Sequence, residues 1–191
     1  MSKKIDIVSL FLGDYSMRLS GREIARMARA NHQTALNHLN ELVKHKILGY
    51  DLRGRNKEHY LEMDNYRSRL LIQMAETKKS FDILENKELK LIIEGIADYA
   101  EALILFGSFA SLKHDKDSDV DLVVVGKSDK DRISKVSRRY SREINMEYIS
   151  FAELERSLKD KKALAIEISK NHVFFGDISK LVDVFIRWYL R

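Results

Sequence analysis

The chain has 191 residues, 45% of them hydrophobic and 33% charged, with a formal net charge of +5 and neither cysteine nor proline. That length accommodates one large domain or two small ones, and the composition excludes an intrinsically disordered chain. No disulfide framework or thiolate metal site is possible, so any metal must have oxygen or imidazole ligands.

No apolar run reaches the roughly 18 residues needed to span a bilayer, and Met1-Ser2-Lys3-Lys4 leads into no signal-peptide pattern; a cytoplasmic protein without a membrane partner is expected. Residues 1–62 carry 11 Lys/Arg against 7 Asp/Glu, while residues 63–191 carry 23 against 22. A mild basic excess is ordinary for solubility, but its concentration at one end is also what a nucleic-acid-binding module shows.

In chain order, Ile5, Val8 and Leu12 fall at helical spacing, and Met17-Arg18-Leu19 reads as a strand stub. Ser20-Gly21-Arg22-Glu23 has the form of a capping box, predicting a helix to about Arg29 that buries Ile24, Ala25 and Ala28. Asn31 can cap a third helix, with Ala35, Leu36, Leu39, Leu42 and Val43 on one face and His32, Gln33, Thr34, Asn37 and His38 on the other. Leu48–Arg53 and Lys57–Leu61 alternate around Gly54-Arg55-Asn56, the pattern of a hairpin with a basic tip.

Three helices followed by a hairpin is the winged-helix order, expected here over residues 1–64. Duplex DNA is the partner such a module implies, with Gln33, Thr34, Asn37 and His38 at base edges and Arg53, Arg55 and Lys57 at phosphates. Tight binding would need a homodimer, and a module used only for protein contacts or dimerisation is the alternative. A helical connector over residues 65–83 follows, with Tyr66–Glu76 amphipathic.

Residues 84–191 alternate between helix and strand. Helices are expected at Leu84–Tyr99, Lys130–Arg142, Phe151–Leu158, Ala163–Ser169 and Ile178–Leu190, and strands at Ala102–Phe106, Val120–Gly126, Ile144–Ser150 and His172–Phe175. The fold class is α+β, or mixed α/β, with a small mixed sheet flanked by helices.

The segment that carries chemistry runs from Gly107-Ser108, at the end of one apolar strand, to Asp119-Val120-Asp121, at the start of the next. Alternation puts Asp119 and Asp121 on one side, roughly 7 Å apart along the backbone, and Val120, Leu122 and Val124 on the other. Two like charges so placed repel unless a cation lies between them, and Mg²⁺ is suited because it takes one or two carboxylates plus phosphate oxygens. Gly107 lets the backbone approach a triphosphate, and Ser108 can donate to it. Asp115-Lys116-Asp117-Ser118 reads as a turn.

Gly107-Ser108, ten residues and Asp119-Val120-Asp121 together resemble the GSx₁₀DxD signature of the minimal nucleotidyltransferases, in the DNA polymerase β-like superfamily; the likeness covers about residues 84 to 180. It implies a polymerase β-like fold, transfer of a nucleoside monophosphate from an NTP, most simply ATP, and Mg²⁺, with two ions expected. It further implies a third carboxylate on a neighbouring strand. Of the residues facing away from Ile144, Met146 and Tyr148, Glu147 is the expected choice, as a metal ligand or to activate the acceptor hydroxyl. Proteins of this kind often act as antitoxins on HEPN-type RNase toxins, so a toxin partner is a further expectation.

The alternative is a transcriptional regulator whose transferase fold only senses nucleotide or is inactive. Lys127, Lys130, Arg132, Lys135, Arg138, Arg139 and Arg142 form either a solvated basic face or one turned to an anionic ligand. His114 and His172 lack metal-ligand spacing, and Phe174, Phe175, Phe185, Trp188 and Tyr189 read as core or a dimer surface.

Overall fold

The computed structural model describes residues 2–190; positions 1 and 191, which begin and end the expected domains, lie outside it. It divides into two compact units, Met1–Glu76 with Tyr189–Arg191, and Thr77–Trp188.

The first unit runs α1 (Ser2–Ser9), β1 (Leu19–Ser20), α2 (Gly21–Met27), α3 (His32–Lys44), β2 (Leu48–Arg53), β3 (Asn56–Leu61) and the start of α4 (Tyr66–Ile83). The capping box forms: Ser20 N donates to Glu23 Oε2 at 2.8 Å, and Glu23 N donates to Ser20 Oγ at 3.3 Å. Asn31 Oδ1 accepts from Gln33 N at 2.9 Å and starts α3, which buries Ala35, Leu39 and Leu42. β2 and β3 pair antiparallel from Leu48↔Leu61 to Arg53↔Asn56, so the turn is the two residues Gly54-Arg55, with Gly54 at φ +61°. A tight turn of this kind favours glycine because left-handed backbone strains any L side chain, although the space around Gly54 is open. β1 adds to β3, giving a three-stranded sheet of order β1-β3-β2. Tyr15 is buried and its hydroxyl donates to Glu76 Oε1 at 2.8 Å.

The second unit contains α5 (Lys87–Ala97), β4 (Ala100–Phe106), α6 (Gly107–Ala110), β5 (Val120–Ser128), α7 (Lys130–Ser137), β6 (Ile144–Ile149), α8 (Phe151–Lys159), α9 (Ala163–Lys170), β7 (Val173–Gly176) and α10 (Ile178–Tyr189). The sheet is mixed, in order β6-β5-β4-β7; β5 and β6 are parallel, joined through α7, and the other pairs are antiparallel. Both faces are covered. Leu103, Leu105, Val120, Leu122 and Val124 pack with Ile92, Ile93 and Ile96 of α5 and Ile133 of α7. Ala102, Ile104, Val123, Val125 and Phe174 are buried on the other face, where Phe174 meets Phe185 of α10 at 5.1 Å between ring centroids. Each such side chain taken from water contributes about 1.5–3 kcal/mol, so a sheet apolar on both faces is a rigid platform for the residues at its ends.

α4 is continuous to Ile83: Thr77–Ser80 is polar but contains no helix breaker, and the Ser80 hydroxyl donates to the Phe174 carbonyl. Two helices are shorter than expected. α5 begins at Lys87 rather than Leu84, behind its Asn86 cap. α7 stops at Ser137 rather than Arg142: the Tyr140 hydroxyl donates to Leu91 O at 2.7 Å and the Arg142 guanidinium pairs with Glu88, contacts that draw the chain off the helix axis onto α5. Among the described residues no helix is long and apolar enough to cross a membrane.

Candidate active site

The site forms where β4 ends and β5 begins. Phe106, Asp121 and Asn145 are paired in one row across β4, β5 and β6. Directly after Phe106 the chain turns at Gly107, φ +69°, where a Cβ would come within 2.5 Å of Asp121 Oδ2. Only glycine suits both the left-handed backbone and the carboxylate lying against it. The short α6 then carries Ser108, and Lys113 N donates back to Ser108 O at 2.9 Å, closing the turn. Gly107 and Asp121, the two ends of the sequence signature, 14 residues apart in the chain, are thus in contact in space.

Asp119 lies just before β5, partly exposed, at the end of a structured turn. Asp115 Oδ1 accepts from Asp117 N at 3.0 Å and from Ser118 Oγ at 2.9 Å, and the Ser118 hydrogen bond is the main reason its carboxyl is held below the usual range. Arg142 fastens the turn from the far side. Its Nε and Nη2 donate to the two Glu88 carboxylate oxygens, each at 2.8 Å, and Nη1 donates to the Ser118 carbonyl. This bidentate pairing raises the Arg142 pKa and lowers that of Glu88. A cavity of about 320 Å³ lies here, lined by Lys116, Asp119, Arg142 and Glu143 among others.

Asn145 Nδ2 donates to Asp121 Oδ1 at 3.0 Å. Glu147 is exposed, shares that face of β6, and stands in register with Val123, one pleat further along. The structure therefore brings Gly107, Asp121 and Asn145 together, with Asp119 two residues before Asp121, and sets Glu147 off from them. Among the described residues no three His, Cys, Asp or Glu side chains converge as a metal cluster.

A family model described as a nucleotidyltransferase domain matches residues 77–185. The chain belongs to the nucleotidyltransferase family. No curated protein and no solved structure gives a match. This nucleotidyltransferase is an enzyme of a family that typically uses a divalent metal and an NTP, and the resemblance read from Gly107-Ser108 and Asp119-Val120-Asp121 lies inside the matched span.

Two residues that the structure sets at the candidate site were not chosen by sequence reasoning. Asn145 shares with Glu147 the face of β6 that points away from Ile144, Met146 and Tyr148, but it carries no charge, so the choice of a carboxylate fell on Glu147; Arg142 was grouped with a basic helix that does not extend that far. Of the other basic residues in that group, Arg132 pairs with Asp129 at 3.3 Å and Lys130 lies over the Tyr148 ring at 4.8 Å. The His114 ring stacks on Phe109 at 4.1 Å between centroids, and His172 is buried against Phe174 at 4.2 Å.

In the first unit, Gln33, Thr34 and Asn37 are exposed on α3, and Gln33 Nε2 donates to Asn37 Oδ1 at 3.2 Å; His38 is half-buried, 4.0 Å from Glu41. Arg53, Arg55 and Lys57 are exposed at the hairpin end, where Arg53 pairs with Glu58 at 3.3 Å and Lys57 lies over the Tyr50 ring at 4.1 Å. Arg55 and Lys57 share a cleft of about 380 Å³ with Arg22, His32, Asn40 and His59. Arg22 is a further cation at this cleft, one the sequence reading left out.

Proposed function

We propose that the second unit transfers a nucleoside monophosphate, AMP from ATP, to an acceptor hydroxyl, and that the first unit is a winged helix that binds duplex DNA. The observation that carries the enzymatic half is the contact of Gly107 with the Asp121 carboxylate. It supports a site in which backbone, hydroxyl and carboxylates meet one triphosphate. Asp119 and Asp121 are hard oxygen donors at the start of β5, a donor set that fits Mg²⁺. When bound, such a cation neutralises charge on the phosphate oxygens. Gly107 leaves space for the phosphates and Ser108 offers a hydroxyl to them.

In the reaction the acceptor oxygen bonds to the α-phosphorus and the bond to the α–β bridging oxygen breaks. Pyrophosphate leaves with the electron pair, and the hydroxyl proton passes to water. A tyrosine on a HEPN-type toxin is the acceptor that the likeness to minimal nucleotidyltransferases favours, which would make the chain an antitoxin.

The DNA half is supported by the cleft where Arg22, His32, Arg55 and Lys57 converge beside the exposed amides of α3. It also sustains a second reading, a regulator that binds DNA as a homodimer and only senses nucleotide. Full-length protein incubated with Mg²⁺ and α-labelled NTPs separates the two: pyrophosphate together with a labelled acceptor supports transfer, whereas NTP binding without product, beside intact DNA binding, favours the regulator.

A further inference from the structure

We propose that Asn145 makes this a single-cation centre, admitting one divalent ion with the nucleotide rather than the expected two; the inference rests on reading Asp119 and Asp121 as cation ligands. Parallel strands lie about 4.8 Å apart and rise about 3.3 Å per residue, so a directly opposed residue is about 5 Å away and one two positions further along is roughly 8 Å away. Asn145 is opposed to Asp121, and Glu147 is opposed to Val123. The position from which a third carboxylate would share a cation with Asp121 is therefore filled by a neutral amide.

The amide also has a direction. An ionised carboxylate only accepts hydrogen bonds, so the NH₂ end of Asn145 faces Asp121 Oδ1, at 3.0 Å. Its positive edge lies against that oxygen and disfavours a cation on the same oxygen. The opposite oxygen, Oδ2, lies against Gly107 and is left clear of the amide. Charge balance agrees. Two carboxylates offset one divalent ion, and a second ion would find no further protein anion beside the first, only phosphate oxygens.

Asn145 is thus a positioning residue: it fixes the rotamer of Asp121 and lowers the number of ions the site takes. The test counts Mn²⁺ by electron paramagnetic resonance and by calorimetry on the full-length chain with a non-hydrolysable α,β-methylene analogue of ATP. One ion per chain is expected for wild type and for Glu147→Gln. Two are expected for Asn145→Asp, with the line broadening of a close spin pair. Because Asn145 is exposed, Asn145→Ser is an additional folded control, and it should bind one ion. Two ions in wild type, or an ion lost in Glu147→Gln, overturns the single-cation inference alone. One ion in Asn145→Asp overturns it as well. Absence of nucleotide-dependent Mn²⁺ binding in every variant overturns the reading of Asp119 and Asp121 as ligands, and this inference with it.

Discussion

Gly107→Ala probes the contact on which the active-site reading turns. The new Cβ would stand 2.5 Å from Asp121 Oδ2 and 3.4 Å from its Cγ. Carbon and oxygen settle into ordinary contact near 3.4 Å, so the carboxylate must retreat by about 0.9 Å (3.4 less 2.5). It cannot do so freely, since Asn145 holds its other oxygen at 3.0 Å. Displacing a reacting group by about 1 Å costs on the order of 10²-fold in rate, which is the expected fall in kcat/KM for pyrophosphate release. Separately, an L side chain in left-handed backbone costs about 1–2 kcal/mol. For a chain of this size that lowers Tm by roughly 2–8 °C. The two effects are separated by a double-mutant cycle with Asp121→Ala, read by thermal unfolding. Removing the carboxylate should relieve the steric part of the Gly107→Ala cost and leave the backbone part, giving a coupling energy of about 0.5–3 kcal/mol. Wild-type turnover in Gly107→Ala, or strictly additive stabilities in the cycle, would refute the reasoning.

Three further outcomes are expected. Asp119→Asn and Asp121→Asn should each abolish metal-dependent NTP turnover while leaving thermal unfolding without metal nearly unchanged, because each removes an anion from a repelling pair; retained turnover or a collapsed fold counts against the assignment. Arg142→Ala should slow turnover by loosening the turn before Asp119, and should also flatten the acid limb of stability. Glu88 has its folded pKa lowered, first by the Arg142 hydrogen bond, so its contribution is fully present above the unfolded carboxyl pKa and is lost as pH falls through the lowered folded value; the stabilities of wild type and Arg142→Ala should therefore converge in acid, and parallel curves would contradict this. In DNA titrations at several salt concentrations, Arg53→Ala, Arg55→Ala and Lys57→Ala should weaken all sequences alike and reduce the salt slope by up to about one unit each, whereas Gln33→Ala or Asn37→Ala should relax sequence choice by roughly 1–3 kcal/mol; unchanged affinities would make the first unit a protein-contact module.

Much of this molecule is written in local pattern. Ser20 and Glu23 sit three apart and form their reciprocal cap, Ser150 and Glu153 do the same, and alternating apolar residues become strands because side chains alternate faces. The spacing of Gly107-Ser108 to Asp119-Val120-Asp121 is legible for the same reason: one end follows β4 directly and the other opens β5, neighbouring antiparallel strands, and a single connection holds them to one register. Chain direction and register across longer connections are another matter. β5 and β6 are parallel and joined through α7, so their alignment depends on how that helix seats on the sheet, and a shift of two residues would have left every face unchanged while exchanging Asn145 for Glu147 beside Asp121. The sequence narrowed the partner to two residues on the correct face. Packing of α7 and the Arg142–Glu88 pair, 54 residues apart in sequence, decided between them, because contacts so distant along the chain leave no periodic trace in it.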